Sequence, residues 1–272
     1  MTLIARSNRE ARAFAPSQPP AEPTVMKTQI DHIVVVAHTL EQGVAWCEAT
    51  LGITPEAGGD HPQFGTHNRL FKIATPSYPL AYFEIIAIKK AAIQATNTPA
   101  SGQNSTKNEV KNSRWFDMDD AALQAAVAKE PRLLHFVANT EDIQAARAAL
   151  KAQGIDRGPA VEASRPTRKG RLEWKITVRD DGQRLFNGTL PSLIQWGKTN
   201  AAEPLRLHPR NTMPRSGVSL QSVAVTSPTP EKLQAAYDAI GLVGVALSEG
   251  GANITVTLKT PKGVVELQSF GI

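Results

Sequence analysis

Several short apolar runs along this chain each carry a polar group where a core residue would be expected. Ile30-Asp31-His32-Ile33-Val34-Val35-Val36 holds an imidazole, and Ala81-Tyr82-Phe83-Glu84-Ile85-Ile86 holds a carboxylate. The pattern then restarts: Leu133-Leu134-His135-Phe136-Val137 resembles the first run, and Leu193-Ile194-Gln195-Trp196 resembles the second. An unpartnered polar group on a buried sheet face is costly. Four of them recurring in phase point to one shared polar site.

The same pattern divides the chain into three units. The first predicts a strand from Thr28 to Ala37, a helix from Leu40 to Leu51 stopped by Gly52, and a polar turn from Pro55 to Asp60. Strands from Phe64 to Ile73 and from Tyr78 to Ile88 complete it. In the second, a strand Leu133 to Val137 leads through a Thr140-Glu141-Asp142 cap into a helix that Gly154 ends. Strands follow at 161–164, 171–179 and 193–196, with Leu172, Trp174, Ile176 and Val178 alternating along one face. The third predicts a strand 220–225, a helix 228–240, and strands 243–247, 253–258 and 264–270. Ala121 to Ala128 also reads as helix, and Ala95 to Glu109 as a mobile polar loop. The resulting fold class is α+β, built from repeated βαβββ modules. The expected organisation is a disordered tail over 1–27, modules over 28–90, 131–198 and 218–272, and linkers over 91–130 and 199–217. The Pro-rich start, with Arg6, Arg9 and Arg12 but no long apolar stretch, reads as a tail or as an early start ahead of Met26, with an Arg-bearing transit peptide as the alternative, and not as a secretory signal.

Composition narrows the function classes. The 272 residues are 41% hydrophobic and 20% charged, ordinary for a soluble globular protein, and no apolar run is long enough for a membrane helix. A cytoplasmic location without membrane partners is expected. The net charge of +5 permits anionic ligands, but the basic residues are dispersed, without the interleaved aromatics that nucleic-acid binding would want. The cluster Arg165, Arg168, Lys169 and Arg171 reads as a solvated hairpin loop, and His61 and His208 as loop and connector residues. Cys47 is the sole cysteine, which removes any intramolecular disulfide and disfavours a thiolate metal site.

A βαβββ unit with His on its first strand and Glu on its last resembles the vicinal oxygen chelate superfamily, which includes glyoxalase I and the extradiol dioxygenases. Gly65-Thr66-His67-Asn68-Arg69-Leu70 followed by Tyr82-Phe83-Glu84-Ile85-Ile86 is similar to its glyoxalase-like domain family, as are Ile194-Gln195-Trp196, His208-Pro209 and Ser216-Gly217-Val218. The resemblance implies that two modules pair into a cup-shaped sheet around a divalent metal (Fe, Mn, Ni, Zn or Co). The ligand positions would be His32, Glu84, His135 and Gln195. Gln195 departs from the carboxylate found at that position, and the third unit carries Ser222 and Glu266 at the corresponding places.

Two functions follow as expectations. One is a metal-dependent enzyme of lyase, isomerase or dioxygenase type acting on a small oxygenated metabolite. Its proton carrier would be His67, and Asn68, Arg69, Trp174 and Trp196 would line the substrate pocket. The other is a metal-free protein that binds a small molecule in the same cup. A hydrogen-bonded structural imidazole is the alternative for each His, and core packing for each Trp. The third unit is expected either to cap the cup or to pair with its copy in a homodimer.

Overall fold

The computed structural model describes residues 26–89, 114–198, 200 and 202–270. Residues 1–25 of the expected tail and all of the polar loop from Ala95 to Glu109 lie outside the described residues. In chain order the elements are β1 (Thr28–Val36), α1 (Leu40–Leu51), β2 (Glu56–His61), β3 (Thr66–Lys72), β4 (Tyr82–Ile88), α2 (Ala121–Lys129), β5 (Arg132–Thr140), α3 (Ile143–Ala152), β6 (Ala160–Thr167), β7 (Gly170–Thr177) and β8 (Ser192–Trp196). Then come α4 (Pro209–Thr212), β9 (Ser219–Ser227), α5 (Pro230–Ala239), β10 (Leu242–Val243), β11 (Ala246–Glu249), β12 (Asn253–Thr260) and β13 (Gly263–Gln268).

Local chemistry sets the helix limits. Thr39 Oγ1 accepts the Gln42 N–H to start α1, and Gly52, at φ 76°, ends it by donating to the Cys47 and Glu48 carbonyls. Asp142 Oδ1 accepts the Gln144 and Ala145 N–H groups at the start of α3.

The first two units share one sheet, ordered β2-β3-β4-β1-β5-β8-β7-β6, with the short β10 added beside β1. In each, the first and last strands run parallel (β1 with β4, β5 with β8), and an antiparallel β1–β5 pair joins the halves. The sheet curls until its edge strands approach each other, with Arg165 of β6 lying against Gly59 of β2. Side chains alternate between the two faces. The inner face carries Val34, Val36, Leu70, Ile86, Leu172, Trp174, Ile176, Ile194 and Trp196, covered by Trp115, Phe116, Met118 and α2. The outer face carries Ile33, Val35, Phe71, Phe83, Ile85 and Phe136 under α1 and α3.

The third unit begins as the others do, with βα, and then differs. It has four further strands, and its own sheet is ordered β11-β9-β12-β13. The expected single strand 243–247 is split at Gly244 (φ 83°): β10 joins β1 of the large sheet, and β11 joins β9. The unit does not cap the cup. Its Leu220, Val225, Leu233, Tyr237 and Ile254 belong to the outer-face core. Tyr237 Oη donates to the Thr189 carbonyl, and the Thr28 amide donates to that of Gly241. Ser222 and Glu266 are exposed on this small sheet.

Candidate active site

A polar cluster lies on the inner face, and a break in β1 creates it. Ile30 pairs with Ala138 and His32 with Val137, so Asp31 is an extra residue in the ladder, a β-bulge. The bulge lets consecutive residues reach the same cluster. Asp31 is fully buried; its Oδ1 accepts from His32 Nδ1 at 2.7 Å, and its Oδ2 accepts from Trp196 Nε1 at 2.8 Å and from His208 Nε2 at 3.0 Å. His208 Nδ1 accepts the Arg210 N–H, which leaves its proton on Nε2 for Asp31.

His32 stacks on Tyr82, with ring centroids 4.5 Å apart, and turns Nε2 toward Glu84 Oε2 at 3.4 Å. Glu84 Oε1 accepts from Asn68 Nδ2 at 2.5 Å, and Asn68 Oδ1 accepts the Gly59 N–H at 2.8 Å. The second hydrogen of Asn68 Nδ2 points to His61 Nε2 at 3.4 Å, and His61 Nδ1 meets Thr66 Oγ1 at 3.1 Å. Trp115 and Trp174 stand edge-on to the His61 ring. Arg165 completes the lining of a cavity of about 30 Å³, room for about one water molecule.

The electrostatics follow from burial and partners. Burial opposes the charged form of His32, but hydrogen bonds and charge from Asp31 and Glu84 outweigh it and raise its pKa to about 9. Burial would likewise raise Asp31, yet His208 and His32 hold it well below the usual carboxylate range. Glu84 is also lowered, because His32, His61 and Asn68 overcome burial. For His61 burial prevails, aided by the Arg165 charge, and its pKa falls to about 4. One cluster thus holds a charged imidazole and a neutral one.

Of the residues expected in the site, His32, Glu84, Asn68, Trp174 and Trp196 line this cavity. The others do not meet them. His67 and Arg69 alternate with Asn68 and Leu70 along β3 and so point to the outer face, where both sense Glu41 of α1. That position separates His67 from a proton-carrying role in the cup and Arg69 from substrate. His135 is fully buried, but its Nδ1 donates to the Gly188 carbonyl at 2.8 Å and its Nε2 accepts the Ser192 N–H at 3.0 Å. Gln195 faces outward between Ile194 and Trp196, its Oε1 accepting the Ile143 N–H at the start of α3. The residues that the sequence reading left out are Asp31, His61, His208, Arg165 and Trp115. Only Asp31 left a signal: two adjacent polar residues inside an apolar strand break the alternation, as a bulge does.

With this geometry established, comparison with known proteins identifies the lineage. Residues 30–241 match the glyoxalase-like domain family. The chain belongs to that family. Among solved structures, this glyoxalase-like protein is similar to a hypothetical protein from Staphylococcus aureus (17% identity, TM-score 0.52, 89% of this chain and 85% of that one). It is also similar to methylmalonyl-CoA epimerase from Mycobacterium tuberculosis (16%, TM-score 0.36, 66% and 96%). A mutant of 4-hydroxymandelate synthase from Streptomyces coelicolor matches as well (13%, TM-score 0.40, 89% and 63%). No curated protein matches this glyoxalase-like chain.

A transition metal of the kind expected takes about four or more N, O or S donors with free lone pairs. Here two of the four expected donors, His135 and Gln195, bond to backbone groups elsewhere, and the other two face each other. Among the described residues no group of three or more His, Cys, Asp or Glu could hold a metal ion. The donor set does not fit a metal in this arrangement.

Proposed function

We propose that the cup is an active site for a small oxygenated metabolite and that its chemistry is proton transfer of the isomerase or lyase kind. The observation that supports this most is the opposite displacement of two buried imidazoles in one cluster. His32 is held charged between two carboxylates, while His61 beside them is held neutral. Charged His32 is thereby suited to a donor role and the carboxylate it faces, Glu84, to a base role, while neutral His61 adds no competing charge.

A substrate carrying a C–H bond next to a carbonyl would enter between His32 and Glu84. Displacing their contact removes the interaction that keeps the Glu84 pKa low, and burial then makes the carboxylate a stronger base. Glu84 would take the proton, and the C–H electron pair would move into the carbonyl. His32 Nε2–H would donate to the oxygen that gains charge. Return of the proton from Glu84, to the same carbon or its neighbour, completes the isomerisation. Asn68 steadies Glu84, and Asp31 fixes the orientation of His32. Trp174 and Trp196 would form the apolar wall.

The small cavity favours a second reading, a binding protein of the same fold without turnover. Exchange in heavy water separates the two. The protein is incubated with a panel of small 2-oxo and 2-hydroxy acids, and deuterium incorporation is followed by proton NMR. Incorporation that disappears in folded Glu84→Gln supports the enzyme, and saturable binding without incorporation supports the binding protein. Metal analysis of untagged protein is expected to find metal far below stoichiometric. One equivalent that is lost in His32→Ala would restore the metal-dependent lyase or dioxygenase reading.

A further inference from the structure

We propose that Arg165 and the indole N–H of Trp115 form the recognition site for a carboxylate on the ligand, at the seam where the two edges of the curled sheet meet. The proposal rests on the cup being the ligand site and adds the class of ligand. Arg165 comes from β6, in the second module, and crosses to β2 of the first. A methyl group added at Gly59 would collide with its guanidinium, so the glycine leaves the space that the side chain occupies. There the guanidinium lines the cavity with His61, Asn68 and Glu84, and it makes no hydrogen bond or ion pair with the described residues.

Trp115 supplies the second observation. It is 4% exposed and lines the same cavity, yet its Nε1–H has no acceptor among the described residues. A buried donor without a partner calls for an explanation, and the acid cluster does not supply one. Glu84 is already engaged by His32 and Asn68, and Asp31 by three donors. A guanidinium fork and an indole N–H donor in the lining of one cavity suit a planar, two-oxygen anion, which the fork can hold through parallel hydrogen bonds. The carboxylate of a 2-oxo acid bound there would set the oxo group toward His32 and the next carbon, which carries the exchangeable C–H, toward Glu84. It would also neutralise the charge that helps keep His61 unprotonated.

The test uses the full-length protein with pyruvate, its neutral amide pyruvamide, and inorganic phosphate as probes. The readout is the Trp115 indole N–H resonance, assigned by its loss in Trp115→Phe. Pyruvate is expected to shift that resonance saturably. Pyruvamide should bind about tenfold or more weakly, and Arg165→Gln should weaken pyruvate to a similar degree. Gly59→Ala should reproduce the loss from the opposite strand, which guards against misfolding of the Arg165 variant. Phosphate binding more tightly than pyruvate would overturn the carboxylate assignment. A Trp115 resonance that pyruvate leaves unmoved, or pyruvate affinity unchanged in Arg165→Gln, would overturn the site. Carboxylate binding through Arg165 without any deuterium exchange would leave this site standing and remove the proton-transfer chemistry. Exchange that is indifferent to Arg165→Gln would do the reverse.

Discussion

At the scale of single residues, the histidines make stability depend on pH in opposite directions. An unfolded imidazole titrates near 6.5, whereas folded His32 titrates near 9. The folded state therefore holds this proton more tightly. The contribution of His32 is fully present below pH 6.5 and is lost as pH rises through 9, a difference of roughly 3 kcal/mol. Folded His61 titrates near 4, so its contribution is present above pH 6.5 and is lost as pH falls toward 4. His135 is displaced in the same direction as His61, through burial and the Arg157 and Arg184 charges. Thermal midpoints should accordingly peak near pH 6.5 and fall on both sides. His32→Gln should flatten the alkaline side, whereas a midpoint that climbs steadily from pH 5 to 9 would contradict these assignments. For catalysis, Glu84→Gln should lower any exchange rate by about 10²–10⁴ while the fold persists, as circular dichroism would check.

At the scale of elements, the bulge in β1 and the glycines in β2 shape the cup. Asp31→Leu would leave His32, Trp196 and His208 without their shared acceptor. It should cost about 3–5 kcal/mol in chemical denaturation, the penalty for breaking a buried charged contact. Neighbouring glycines should differ. A Cβ at Gly58 would meet the Asn68 side chain and backbone, so Gly58→Ala should destabilise by about 1–3 kcal/mol, whereas at Gly59 it meets a movable guanidinium and stability should change less. His135→Ala would strand the Gly188 carbonyl and the Ser192 amide. It should lower stability by about 2–3 kcal/mol yet leave turnover per folded molecule near that of the parent, unlike a substitution at His32. Much of this level could be read from the chain. Helix ends were visible through Asp142, Gly52 and Gly154, and the strands with His32 and Glu84 through their apolar flanks. β2 was not, because Gly58, Gly59 and Asp60 have the composition of a turn, and the glycines there serve a close approach by Asn68 and Arg165. Which face a polar residue takes was also hidden. His67 and His135 belong to the same residue type as His32, and only strand register and available partners separate them.

At the scale of the whole molecule, the third unit covers the outer face of the sheet that carries the site on its inner face. Tyr237→Phe removes one hydrogen bond, leaving the buried Thr189 carbonyl without that donor, and should cost about 1–2 kcal/mol. Deleting the chain from Ser219 onward would bare the apolar residues beneath α5 and should give aggregated protein in light scattering. The duplicated halves were legible because each repeats its order of elements. The different strand order of the third unit was not, because short apolar runs do not specify their pairing partners. The cup is so nearly filled that a small acid would find little space until the Trp115–Phe116 segment yields. Stopped-flow traces should then show an observed rate that levels off with concentration, since the aromatic cover would open at its own pace, and occupants would depart slowly for the same reason.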